Sequence, residues 1–290
     1  MEVSKLFEDS FKYPARDWNK LLIFGVIILI SGFYTILDII LQVSEPLSYN
    51  FVLEGIILMF SLLSIIFSLI TLGYSLSITR KTINLEKEIP DFEWSENLSN
   101  GFKVFILEIA YLTIPFIVTL IVAYLTGVLN YLTEIASYLI DYGVYYTISY
   151  LPFLDMPSNL SRVIFIGSIL FIIFESLAII ASARLAETDN LNEAINIKDT
   201  INKIDEIGWT NYIIWTIAVL AIFTTLTITM SIVLIIIDLI IMTIINTAAS
   251  FIITLIIYSI IGFLIIGPYV QMSLQRALGL LYNESKKLYC

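Results

Sequence analysis

The chain has 290 residues, of which 59 % are apolar and 14 % charged, where soluble domains carry about 25 % charged residues. It has no His, a single Cys at its last position and a formal net charge of −10. Disulfides, thiolate metal sets, Cys or His nucleophile systems and imidazole relays are therefore excluded.

In chain order, the first pattern is amphipathic: Val3, Leu6, Phe7 and Phe11 recur at helical spacing against Glu2, Lys5, Glu8 and Asp9, which predicts a surface helix. A first membrane span follows at about 20–43. It is too long for the apolar region of a cleavable signal and has no small-residue cleavage site after it, so it is expected to stay as an anchor. A second span at about 52–79 closes on Arg80.

Next comes a charged island, "RKTINLEKEIPDFEWSENLSNGFKVF", residues 80–105. Trp94, Leu98, Phe102 and Phe105 recur there at helical spacing among Ser, Glu and Asn. This predicts an in-plane helix at the cytoplasmic surface with its aromatic row in the headgroup boundary. Asp91 after Pro90 is its expected N-cap. The island's carboxylates (Glu86, Glu88, Asp91, Glu93, Glu96) lie among Lys residues, as on an ordinary solvated face, so a catalytic loop is the weaker reading.

The third span, about 104–128, holds Glu108 one turn inside and Pro115, an expected kink. The Tyr-rich stretch 129–157 is apolar enough to suggest a crossing but reads as an external interfacial segment, because a crossing there would export Arg184, Lys198 and Lys203. The fourth span, about 161–183, contains Glu175 in "FIIFESLAII" and closes on Arg184. A third amphipathic segment carries Ile197, Ile201 and Ile204. The fifth and sixth spans, about 211–236 and 246–272, meet near Asp238–Asn246; Pro268 is the second expected kink, and Arg276 closes the unit.

Fourteen of the 15 Lys and Arg residues, Lys286 and Lys287 included, fall in segments that six spans place on one side, with Arg162 alone opposite. That bias predicts cytoplasmic N- and C-termini. The same segments hold 16 acidic residues, so no polybasic patch for nucleic acid is expected. The fold expected is an all-α integral membrane protein. It is a single membrane domain over 1–290, a six-span bundle built from three repeats of cytoplasmic amphipathic helix plus transmembrane hairpin, at about 1–82, 83–187 and 188–290. Arg80, Arg184 and Arg276 are the topology-setting basic residues at the ends of the even spans.

The run from Arg80 to Val104, with Pro90, Asp91, Trp94, Gly101 and Lys103, resembles the hallmark of a membrane family found largely in methanogenic archaea and catalogued as domain of unknown function 4013. The hydropathy layout extends the likeness over most of the chain, and the Tyr-rich external segment departs from it. The resemblance implies an archaeal plasma membrane and an uncharacterised role, and supplies no catalytic residues.

Ionisable groups inside spans are functional candidates because they are costly there. Glu175, about 12 Å from the cytoplasmic end of its span at 1.5 Å per residue, is the foremost, with Glu108 second; a Glu protonated or hydrogen-bonded to a neighbouring helix is the plainer account. No phosphate-binding, dinucleotide, zinc-protease or serine-hydrolase motif occurs. The expectation is a non-enzymatic membrane scaffold or accessory protein without metal or cofactor. Its expected partners are membrane lipids and a second copy or another membrane protein. The alternative is a small-solute or ion transporter using Glu175.

Overall fold

The computed structural model describes residues 3–44, 51–150, 156–245 and 247–284; Glu2, Lys286, Lys287 and Cys290, named above, lie outside them, as do residues 151–155 of the Tyr-rich stretch and Asn246. Eleven α-helices are described: α1 (Val3–Lys12), α2 (Trp18–Ser44), α3 (Phe51–Ile83), α4 (Trp94–Leu125), α5 (Leu129–Tyr150), α6 (Leu160–Thr188), α7 (Leu191–Ile195), α8 (Ile197–Ile207), α9 (Trp209–Met242), α10 (Thr247–Ile261) and α11 (Gly267–Glu284). No strand occurs among the described residues. Six helical stretches are long and apolar enough to cross a membrane, in α2, α3, α4, α6, α9 and across α10–α11.

Local chemistry sets the helix ends. Asp17, in an extended conformation, accepts the Lys20 N–H at 3.1 Å and caps α2. Asn190 and Asn196 cap α7 and α8 in the same way. Helix α3 ends in a Schellman turn: Glu86 N–H reaches the Lys81 carbonyl and Leu85 N–H the Thr82 carbonyl, with Leu85 at φ 64° where glycine is usual.

Small residues decide how closely the helices approach. A Cβ on Gly73 of α3 would lie 1.7 Å from the Asn97 carbonyl oxygen, and one on Gly101 of α4 would lie 1.7 Å from that of Leu69. The two backbones are therefore in direct contact. At the other side of the bundle Pro268 has no N–H to give the Leu264 carbonyl one turn back. There the ladder widens into a π-turn over Gly262–Ile266. A Cβ on Gly25 of α2 would sit 2.1 Å from that same Leu264 oxygen, so the freed carbonyl is met by the bare Cα of a glycine.

Two expectations are corrected here. The island does not form a separate in-plane helix: α4 runs as one piece from Trp94 to Leu125. Nothing between 94 and 104 breaks it, and Gly101 locks that stretch onto α3. Asp91 is not its N-cap, since the helix starts at Trp94 after extended Glu93, and Asp91 instead pairs with Lys20 at 2.8 Å. Helix α4 continues through Pro115, where one backbone hydrogen bond is missing. The Tyr-rich stretch forms α5, which leaves helical geometry at Gly143 (φ 78°) and is not among the membrane-length stretches.

The island's charged portion is a strap. Five consecutive carbonyls each accept a bond from a different side chain: Glu86 from Arg276 (2.7 Å), Lys87 from Arg16 (2.9 Å), Glu88 from Tyr13 (3.1 Å), Ile89 from Lys20 (2.7 Å) and Pro90 from Tyr74 (3.0 Å). Its own side chains from Glu86 to Glu88 are exposed, while Ile89 and Pro90 are buried. The strap, α1, α7, α8 and the ends of α3, α6 and α11 join in one polar cap at one end of the bundle. The largest buried apolar cluster lies next to this cap, with Leu6, Leu107, Ile180, Ile204, Leu281 and Tyr282 among its members.

Candidate functional site

Below the cap the helices part around a cavity of about 670 Å³. Its wall is mostly apolar and comes from α3, α4, α6, α9 and the α10–α11 region. Glu108 of α4 and Glu175 of α6, separated by 67 positions in sequence, both line it. No Lys or Arg is in the wall. Among the described residues neither carboxylate has an ion-pair or hydrogen-bond partner. Glu175 is exposed and also lines a second cavity of about 250 Å³ between α4, α6 and α9.

Four polar side chains of the cap end are committed to one another. Gln271 of α11 donates to the Ser75 hydroxyl at 2.9 Å, and the Gln275 side-chain oxygen accepts from Thr79 at 2.7 Å. These bonds clamp α11 on α3 at the cap end of the cavity. Trp215 of α9 is 2 % exposed and lines both cavities, and its indole Nε1 has no hydrogen-bond partner. A buried donor left without an acceptor is costly, so this is the least settled polar atom of the site. Among the described residues no three or more His, Cys, Asp or Glu side chains gather as a metal set.

The remaining candidates fall into two other places. Trp94, Leu98, Phe102 and Phe105 form a row exposed on the outer face of α4; the opposite face, Asn97, Asn100, Gly101 and Val104, is buried against the bundle. The three arginines lie in the cap, each paired with an aspartate. Arg80 meets Asp189 at 2.8 Å, Arg184 meets Asp199 at 3.7 Å, and Arg276 meets Asp9 at 3.2 Å. Asp189 also receives Lys103 at 2.9 Å. The Lys103 hydrogen bond, then the Arg80 charge, hold its carboxyl below the ordinary range against some desolvation.

The structure thus brings Glu108 and Glu175 to one cavity and leaves the aromatic row, the arginines and Pro115 elsewhere; Pro268 stands at the π-turn that contributes Gly262, Phe263 and Ile266 to the cavity wall. Sequence reasoning missed Trp215 and the Gln271/Gln275 pair. A Trp six residues inside a span that already begins with Trp209, and two Gln at four-residue spacing in the last span, were the available signals.

No curated protein and no solved structure matches this chain. A family model described as protein of unknown function (DUF4013) matches residues 56–237. That stretch takes in the strap, Gly101, both carboxylates and Trp215, covers more than half of the chain, and shows that the protein belongs to the DUF4013 family of proteins of unknown function.

Proposed function

We propose that this chain is a non-enzymatic plasma-membrane protein that binds a small positively charged solute within the bilayer and moves it across. The observation that carries this reading is the cavity with two carboxylates and no cation in its wall. An ionised group deep in a bilayer costs about 2.5–3.5 kcal/mol on insertion scales. Two carboxylates facing one cavity are relieved of that cost by protons or by a cationic guest. The absence of His and of any internal Cys from the sequence supports a role without catalysis.

The lysine and arginine bias supports a cytoplasmic cap with both termini on that side. The cap bonding supports the three-unit organisation. Arg80, at the end of the first unit, bonds Glu96 at the start of the second; Arg184 bonds Asp199 and Thr200 in the third; Arg276, at the end of the third, bonds Asp9 of the first. Each unit's closing arginine grips the next unit's entry segment, and the last grips the first. The scaffold reading keeps one favouring observation, the outward row Trp94, Leu98, Phe102 and Phe105, which suits lipid, a second copy or another membrane protein.

The test is uptake into proteoliposomes with tetramethylammonium and ethanolamine as probes. Saturable uptake that falls at least tenfold in Glu175→Gln and Glu108→Gln supports the proposal. Uptake no greater than in empty liposomes, together with a protein partner that co-elutes in stoichiometric amount from native membranes, would return the assignment to a scaffold.

A further inference from the structure

Helix α9 packs on α8 and α10 and touches α1 and α11; toward α6 and α4 it reaches only through side chains, the Tyr212–Ser176 bond and the buried Trp215 and Val219, while its backbone stands off them. The gap it leaves there is the second cavity, walled by Leu112 of α4, Phe171 and Ile172 of α6, and Thr216 and Val219 of α9. Ile172 and Leu220, which also line it, are 44 % and 41 % exposed on the outside of the bundle. The gap is therefore a slot that faces the surrounding hydrocarbon. Its other hydroxyls are satisfied: Ser176 is bonded to Tyr212, and Thr216 donates to the Tyr212 carbonyl. Glu175 is the one charged residue in the slot wall, and it is shared with the central cavity.

We propose that the slot between α6 and α9 admits a single-chain amphiphile with a cationic amine head. The head lies between Glu175 and Glu108, and the alkyl chain runs along the slot into the bilayer. This inference rests on the reading of the central cavity as a cation site and names its guest. An apolar channel that ends on an uncompensated carboxylate is complementary to a molecule with the same two parts. A free inorganic cation or a small hydrophilic amine would use the carboxylates and leave the slot empty. An anionic amphiphile would set like charges together. Trp215, with its indole N–H unpartnered at the junction of the two cavities, would be satisfied by a hydroxyl or ester oxygen beside the amine.

The experiment uses the full-length protein in lipid nanodiscs and follows quenching of tryptophan fluorescence by 12-bromododecyltrimethylammonium, with binding of tetramethylammonium, the headgroup alone, followed by isothermal titration calorimetry. Empty nanodiscs give the partition of the probe into lipid. The proposal requires saturable quenching by the brominated cation and none that saturates with 12-bromododecanoate. It also requires at least a tenfold weakening in Glu175→Gln, which keeps the side-chain shape, and in Ile172→Phe, which fills the slot without adding a fluorophore or touching the central cavity. If Ile172→Phe does not fold, Leu112→Phe narrows the same slot from the other helix. Quenching that never saturates and is equal in all variants means lipid partition only and overturns the inference. Tetramethylammonium binding that depends on Glu175 but is unaffected by the slot variants, with no gain from the chain, overturns the slot and leaves the cation site standing. If neither probe binds in a Glu175-dependent manner, both readings fall.

Discussion

Arg276, in the last helix, holds Asp9 of the first: its Nε lies 3.2 Å from the Asp9 Oδ2, and its Cζ lies 5.0 Å from the centre of the Tyr13 ring. The same guanidinium donates to the Glu86 carbonyl at 2.7 Å and contacts the Thr82 hydroxyl at 3.4 Å. One side chain thus ties the two ends of the chain to the strap between the first two hairpins. Its own surface is 6 % exposed, so solvent screening is weak on its side of the pair.

The first prediction follows. Arg276→Ala should destabilise the protein by about 1–3 kcal/mol, because it removes the nearly buried charged donor shared by Asp9 and the Glu86 carbonyl. Arg276→Lys should recover little of this, since an ammonium has neither the flat surface for Tyr13 nor the forked donors that serve several acceptors at once. Thermal unfolding in one detergent, read for both variants, checks this. A lysine variant as stable as the parent would show that charge alone holds the cap.

Helix contact gives a second prediction. With 1.7 Å between a would-be Cβ and a backbone oxygen on each side, Gly73→Ala and Gly101→Ala must push α3 and α4 apart. Each should cost about 1–3 kcal/mol as overpacking. Gly55→Ala, where a Cβ meets nothing within 4 Å, is the control and should leave the unfolding temperature unchanged or raise it. Equal effects at all three positions would show that helix propensity, and not contact, governs the outcome.

How far the chain was legible before its structure follows from these same residues. The six membrane-length stretches are set by apolar runs that need an internally bonded helix in lipid, and their number and order were readable; their ends were not, since the third begins at Trp94 and the sixth runs to Glu284. The break beside Pro268 was also readable, because a missing N–H is a property of one residue. The continuity of α4 through the island was not. Trp94, Leu98, Phe102 and Phe105 do form one exposed row, but a row of that spacing is the same in an in-plane helix and in the first turns of a span. What separates the two is the fit of Gly101 against Leu69, a contact across more than 30 positions that no local pattern encodes. The cavity was half legible: intramembrane cost singled out Glu108 and Glu175, while their meeting and the placing of Trp215 depend on how α9 stands off its neighbours.

Asp189 supplies a pH prediction. Lys103 and Arg80 hold its carboxyl below the ordinary range in the folded protein. Its folded value is thus the lower one, and the stability it contributes is present above the unfolded value, about 3.9. That contribution is lost as pH falls through the folded value. Asp189 is 59 % exposed, so the effect is reduced by solvent. The expected result is that the parent loses more unfolding temperature than Asp189→Asn between pH 6 and pH 3, the two curves converging at the acid end. Parallel curves over that range would remove Asp189 as a contributor.

Three of the four tryptophans begin a helix: Trp18 opens α2, Trp94 opens α4 and Trp209 opens α9, and they are 56 %, 55 % and 45 % exposed. Indole rings favour the membrane–water boundary, so these three should mark one headgroup plane at the cap end. Trp215 lies six residues further along α9, about 9 Å deeper at 1.5 Å per residue. In single-tryptophan variants, lipids brominated near the glycerol should quench Trp18, Trp94 and Trp209 best. Trp215 should respond more to bromine further down the chain. One of the three responding like Trp215 would tilt the bundle out of that plane.

The strap yields the last prediction, and it separates backbone from side chain. Its carbonyls from Glu86 to Pro90 are bonded one by one by Arg276, Arg16, Tyr13, Lys20 and Tyr74, whereas the Lys87 and Glu88 side chains project into solvent. Lys87→Ala and Glu88→Ala should therefore change stability by no more than about 0.5 kcal/mol, as ordinary surface substitutions do. Tyr13→Phe deletes only a hydroxyl that is 3.1 Å from the Glu88 carbonyl and should cost about 1–2 kcal/mol, because it leaves that acceptor without its donor. Burial raises the Tyr13 hydroxyl well above its usual pKa, so it stays a donor at any pH the protein tolerates, and the difference between Tyr13→Phe and the parent should be constant from pH 6 to pH 9. If Lys87→Ala or Glu88→Ala proves as damaging as Tyr13→Phe, the charges of the island act through their side chains and the strap is more than a backbone fastening.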